Sequence, residues 1–238
     1  MDKTVATGKR GNPALQGANR DGGPIPGARR ETILSVARDL FFSHGFASAS
    51  MRDLAAGIGV TQAALYHHFP SKDEILFAIV DGFTELLRET VQRALNETGD
   101  PVRDLFGAVR QHILLNRSHS REIKLVIEDK KLLASAYAER MRQREMVIYL
   151  LYRDRVSDLM QAGLMRPLTP SVVVFNLLAT INFIFQWYRP DGPLRLEEVA
   201  DQTVEMLSAG LVIEGGKPST RRPPKRPAGR TTRPGDTR

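Results

Sequence analysis

The chain has 238 residues, with 34 Lys+Arg against 27 Asp+Glu, 42% apolar residues and no cysteine. That length admits one large or two modest domains with a sizeable core, and the lack of cysteine excludes a disulfide scaffold, a Cys-ligated zinc site and a thiol nucleophile. The net charge of +7 suggests a nucleic-acid binder until it is divided: residues 1–30 carry +4, residues 215–238 carry +7 and residues 31–214 carry −4, so a pI argument for nucleic-acid binding is weak.

Residues 1–28 are rich in Gly, Pro, Asn and Ala with no apolar periodicity, and are predicted to be a disordered basic tail. No apolar run follows its charges, so no signal peptide is predicted and the expected location is cytoplasmic. From 29 to 214 the apolar pattern is helical throughout, which predicts an all-α protein of nine helices in two units, 29–76 and 77–214. Helix one spans about 29–44 and stops before Gly45. Helix two spans 51–58, with Ser50 as N-cap, Asp53 as its acidic capping partner and Gly59 at its end. Helix three spans 62–68, capped by Thr61 and closed by Pro70. Helix four opens on Ser71-Lys72-Asp73-Glu74, read as a full capping box, and runs to about Asn96.

Pro101 suits the first position of a helix to about Arg117, broken at Ser118–Ser120. A helix over 121–133 follows. Ser135–Leu164 forms a long amphipathic helix, with Met141, Glu145, Ile148, Tyr152 and Val156 marking its turns. Thr169-Pro170 opens the eighth helix, and 196–213 form the ninth. The 22 residues between Arg166 and Arg189 carry no charge, enough to span a bilayer by length. Pro167, Pro170, Asn176, Thr180, Asn182 and Gln186 argue against lipid, so no membrane is expected and the eighth helix is predicted to be buried on nearly every side. Residues 215–238 hold five prolines among Lys, Arg, Thr and Gly, a second disordered basic tail.

Function concentrates in 50–76, SMRDLAAGIGVTQAALYHHFPSKDEIL. Leu54, Ala55, Ile58, Val60, Leu65 and Phe69 hold two short helices at a steep angle across a glycine turn, a helix-turn-helix, since neither helix is long enough to stand alone. The second would enter the major groove. The run Leu54-Ala55, Gly59-Val60, Leu65-Tyr66, His68-Phe69, Ser71-Lys72 and Ile75-Leu76 resembles the DNA-binding domain of the TetR family of bacterial repressors. It departs at Ala63, where many members have Gly. The resemblance implies a homodimer, joined through the last two helices, that binds a palindromic operator and releases it when a small ligand enters the C-terminal domain.

Chemistry assigns candidate contacts on that surface. Ser50 and Thr61 cap helices where phosphates approach. Gln62 can bond adenine, with Ala63 beside it. Tyr66, His67 and Lys72 look like phosphate contacts, as in similar repressors, and Arg52 can join them. Residues 31–75 hold only Arg38, Arg52 and Lys72 as fixed cations against five acids, so Arg29 and Arg30 are expected to assist. Phe69 reads as core, and His68 as packed or capping. His67-His68 is not a metal pair, because neighbours on a helix diverge, and no metal or other cofactor is expected.

The later helices would form a bundle able to hold a ligand. His112, Asn116, Tyr149, Tyr152, Asn176, Asn182 and Gln186 are its candidate polar residues, although Asn and Gln of the eighth helix serve equally to pair across a dimer interface. Trp187-Tyr188-Arg189-Pro190-Asp191-Gly192-Pro193 and Leu196–Asp201 resemble TetR members governing fatty-acid and steroid catabolism, which implies an acyl-CoA effector. Arg110, Arg117, Arg121 and Lys124 are either a CoA-phosphate site or a solvated face. The expected function is therefore a ligand-responsive repressor. The alternative is a nucleoid-type binder using the tails, and a helical enzyme ranks last because no catalytic constellation is present.

Overall fold

The computed structural model describes residues 30–213, so Arg29 and the calls on the tails 1–28 and 215–238 lie outside the described residues. Those described form nine α-helices, with one isolated bridge, Met165 to Val212, and no strand. α1 (Arg30–His44) stops at Gly45, whose φ of +80° suits glycine. α2 (Met51–Ile58) starts on a complete capping box, in which Asp53 N donates to Ser50 Oγ and Ser50 N to Asp53 Oδ2. Gly59, again at φ +80°, ends it while Val60 N reaches back to Ala55 O. α3 (Gln62–His68) is capped by Thr61, which accepts from Ala64 N at 3.2 Å.

α4 (Lys72–Ala94) starts on half of the predicted box: Ser71 Oγ accepts from Glu74 N, and the Glu74 carboxylate does not return the bond. α5 (Pro101–Leu114) has Asp100 as N-cap and Pro101 at its first position. It passes into α6 (Asn116–Lys124) through Leu115, which keeps helical dihedrals. The predicted break at Ser118–Ser120 is a kink at His119 (φ −127°, ψ 23°), where Ser118 Oγ and His119 Nδ1 bond at 2.8 Å. The predicted 121–133 helix is not one helix. α6 widens into a π-turn at Leu125–Asp129 and closes in a 3₁₀ turn at Lys130–Leu132. α7 (Ser135–Gln161), α8 (Pro170–Trp187) and α9 (Leu196–Leu211) complete the chain.

Two cores follow. The first gathers Ile33, Phe41, Leu54, Leu65, Phe69 and Val80, and is completed from outside the helix-turn-helix by Leu125, Leu133 and Met141. The second begins on α4 at Phe83 and joins it to α5, α7, α8 and α9 through Leu105, Val109, Tyr152, Val174 and Val199. α4 therefore serves both cores, and the change between them falls several residues beyond 76. Arg38 of α1 bonds Glu122 of α6 at 2.6 Å, with Glu122 buried, and Arg121 bonds Asp39 at 2.7 Å.

α8 corrects one expectation. It buries Val173, Val174, Leu177, Ile181 and Ile184, yet leaves Val172, Phe175, Phe183 and Trp187 exposed, with Met206 of α9 exposed as well. It is buried on one side only. It is long and apolar enough to cross a membrane, but its inner face is packed into the second core.

Candidate nucleic-acid interface and ligand cavity

Leu65 faces the first core, and the turn between Gly59 and Thr61 swings the opposite side of α3 outward. Thr61, Gln62, Ala63, Tyr66, His67 and His68 are all exposed, Tyr66 at 48%. Tyr66 is therefore not a core residue, Phe69 is, and His68 is solvent-facing rather than packed. Arg52 is exposed on α2. Asp53 accepts from Ser50, which holds its carboxyl below the usual carboxylate range. Arg30 lies with its guanidinium 4.4 Å from the centroid of the Phe69 ring, covering the base of α3. Lys72 is placed differently from the others. Its ammonium donates to the carbonyls of Phe46, Ala47 and Ala49 at 2.9–3.3 Å and sits 4.5 Å from the Phe46 ring centroid. All three donors are engaged, and Lys72 ties the α1–α2 loop to the start of α4.

The second unit holds a half-open cavity of about 740 Å³ between α4, α5, α6, the π-turn, α7 and α8. That volume lies within the range of small-molecule sites. Phe83, Leu87, Ile123, Val126, Ile127 and Phe175 supply apolar wall. Of the seven polar candidates, His112, Asn116, Tyr149 and Asn182 line it. Tyr152 lies behind the wall, fully buried, with its hydroxyl 3.3 Å from His112 Nδ1. Asn176 and Gln186 do not line it: Asn176 donates to Val172 O, and Gln186 reaches Glu128 at 3.2 Å. Burial without a counter-charge lowers the His112 imidazole from 6.5 to about 4 and pushes the Tyr152 phenol up, so both are neutral at pH 7. Tyr149 turns its hydroxyl to Ser171 Oγ at 2.8 Å and stacks on Phe175.

Sequence reasoning missed the charged rim. Lys130, Arg142 and Glu145 line the cavity, Lys130 paired with Glu145 and Arg142 with Glu139. Glu145 had a signal, since an acid in an apolar register must meet a partner or an opening; Lys130 and Arg142 had none. The cations Arg110, Arg117 and Arg121 line nothing here and pair with Asp201, Glu197 and Asp39, while Lys124 lies over Phe42. Of the two readings for that group, the solvated face agrees with these positions, with ion pairs across it.

Comparison with known proteins gives two family matches. Residues 33–79 match the model for bacterial regulatory proteins of the tetR family, and residues 98–211 match a tetracyclin repressor-like C-terminal domain. The structure of AibR in complex with isovaleryl coenzyme A and operator DNA is 32% identical, with a TM-score of 0.70 over 75% of this chain and 97% of that one. The HTH-type transcriptional repressor KstR2 of Mycobacterium tuberculosis (strain ATCC 25618 / H37Rv) is 25% identical over 79% of this chain and 95% of its own length. Its structure, a ketosteroid transcriptional regulator, has a TM-score of 0.72 at 24% identity, covering 82% of this chain and 100% of that one. The HTH-type transcriptional activator FasR of Mycolicibacterium smegmatis (strain ATCC 700084 / mc(2)155) is 26% identical over 85% of this chain and 92% of its own length.

Proposed function

The chain belongs to the TetR family of bacterial regulatory proteins, DNA-binding transcription regulators and not enzymes, and on that premise we propose that it is a cytoplasmic, ligand-released repressor acting as a homodimer on a palindromic operator. The observation that carries this reading is the exposed α3 face, with Gln62, Ala63, Tyr66 and His67 projecting from a helix whose other side is locked into the core. Gln62 would read a base edge, and Tyr66, His67 and Arg52 would position the backbone, with Ser50 and Thr61 presenting helix N-termini to phosphates. Arg29 would extend this contact. Lys72 would steady the loop beneath it and meet phosphate only by giving up a carbonyl.

Dimerisation through α8 and α9 is supported by the exposed Val172, Phe183, Trp187 and Met206. Two subunits so joined would present α3 to successive major-groove half-sites about 34 Å apart. The effector is an acyl-CoA or another small hydrophobic compound, supported by the apolar cavity and by isovaleryl coenzyme A in AibR. Lys130 and Arg142 at the rim are the cations available to a CoA phosphate. Release would pass through α6 and the π-turn. Asn116, Ile123, Val126 and Ile127 border the cavity, while Glu122 and Leu125 from the same segment grip α1 and the first core.

The test is a mobility-shift assay at two salt concentrations with an operator selected from random DNA. The expected result is preference for the selected site by several orders of magnitude, retained at high salt and reversed by an acyl-CoA. Equal affinity for operator and random DNA would refute it.

A further inference from the structure

Among the described residues one buried side-chain polar atom has no hydrogen-bond partner, and its residue lines the cavity. Leu115 keeps the α5–α6 junction helical, so His112 and Asn116, four residues apart, face the cavity together. Asn116 is 7% exposed, and its Nδ2 donates to Ile113 O at 2.9 Å. That bond fixes the amide, because the flipped form would set two oxygens against each other. Oδ1 is therefore an acceptor, and among the described residues no donor reaches it. Thr84 nearby spends its hydroxyl on Val80 O at 2.7 Å, and His112 directs Nδ1 to Tyr152.

Resting on the reading of this cavity as the effector site, we propose that the effector carries a hydroxyl or amide N–H that donates to Asn116 Oδ1. A plain hydrocarbon chain is then the wrong ligand. It fills the volume but leaves a buried acceptor unpaired, or a water trapped on it, at a cost in affinity. A site that hydrogen-bonds a ligand donor rejects the analogue lacking it far more strongly than an apolar wall rejects a missing methylene. The acceptor lies on the same helical face as an uncharged imidazole, since His112 carries no charge at pH 7, while the charged side chains Lys130, Arg142 and Glu145 stand at the rim. The donor has two sources in an acyl-CoA: a hydroxyl on the acyl chain, or an amide of the pantetheine arm.

The test uses the full chain and two isomeric probes, 1-octanol and 1-methoxyheptane. The ether keeps an oxygen acceptor and loses only the donor. By titration calorimetry the alcohol should bind about tenfold more tightly, and Asn116→Leu should bring the two affinities together. Asn116→Ala provides a second variant, and the wild-type comparison stands without either. Equal binding by the wild type, no binding of either probe, or a preference that survives in both variants overturns the proposal. Octanoyl-CoA and 3-hydroxyoctanoyl-CoA then locate the donor. Preference for the hydroxylated ester places it on the chain. Equal binding, weakened alike by Asn116→Leu, places it on the pantetheine. Should the alcohol be preferred while neither thioester releases operator DNA, the acyl-CoA reading falls and the donor requirement stands.

Discussion

His112 sits in the cavity wall with burial alone acting on its charge, which brings its imidazole down to about 4 from 6.5. A histidine held neutral contributes stability that is fully present above pH 6.5 and lost as pH falls toward 4, on the order of 3 kcal/mol in all. Urea unfolding should therefore show a falling midpoint between pH 7 and pH 4.5. His112→Gln, which stays neutral and can still meet the Tyr152 hydroxyl, should flatten that decline; an unchanged slope would place the titrating group elsewhere. On α3, Gln62→Ala with Tyr66→Ala should abolish operator binding while circular dichroism and subunit size stay unchanged. At this scale the caps were legible because they are local: Ser50 and Thr61 need only their own next turn to be recognised. Lys72 was not, because its three carbonyl partners lie more than twenty residues back along the chain.

The helices divide along the same line. Those with a sharp apolar stripe were placed to within about three residues, and α2 and α3 with their glycine turn were readable in full. α8 was not readable by face. It is apolar nearly all round, so periodicity could not decide which side the core takes, and Asn176 and Gln186 fell outside the cavity that Asn182 lines. The π-turn also carries no pattern of its own. Thr61→Ala should cost about 1 kcal/mol by uncapping α3, with a proportionate loss of operator affinity. Glu122 tests the link between units. Its carboxylate is buried against Arg38, the latter partly solvated, so Glu122→Gln should leave operator binding within a few-fold while raising the effector concentration needed for release. Release at the wild-type concentration would show that the signal does not pass through this pair.

The whole molecule raises matters of surface and charge. Val172, Phe183 and Trp187 of α8 and Met206 of α9 are large apolar side chains left exposed, the kind of surface that a subunit interface covers. Phe183→Glu should yield monomers by analytical ultracentrifugation and lose operator binding without loss of helicity. The charge map was legible from composition alone: 31–214 is net acidic and the excess of positive charge lies in the two ends. On the proposed reading the ends would add attraction and the geometry of 31–214 would read sequence. Removing residues 215–238 should weaken binding to every DNA alike and lessen its salt dependence, leaving site preference intact. A changed preference would mean the tail reads bases.

The π-turn at Leu125–Asp129 also bears on time. Val126 belongs to the margins of both cores, and Leu125 is wholly buried in the first. A five-residue stretch with i→i+5 bonding, set between α6 and a 3₁₀ turn, is held less firmly than a regular α-helix. Its amides should exchange with deuterium sooner than those of α4 or α7, reporting local opening rather than global unfolding. An occupant wedged against Val126 and Ile127 would slow that exchange many-fold. The hinge between sensing and DNA would then be the segment whose breathing an effector stills, with a clock that can be read amide by amide.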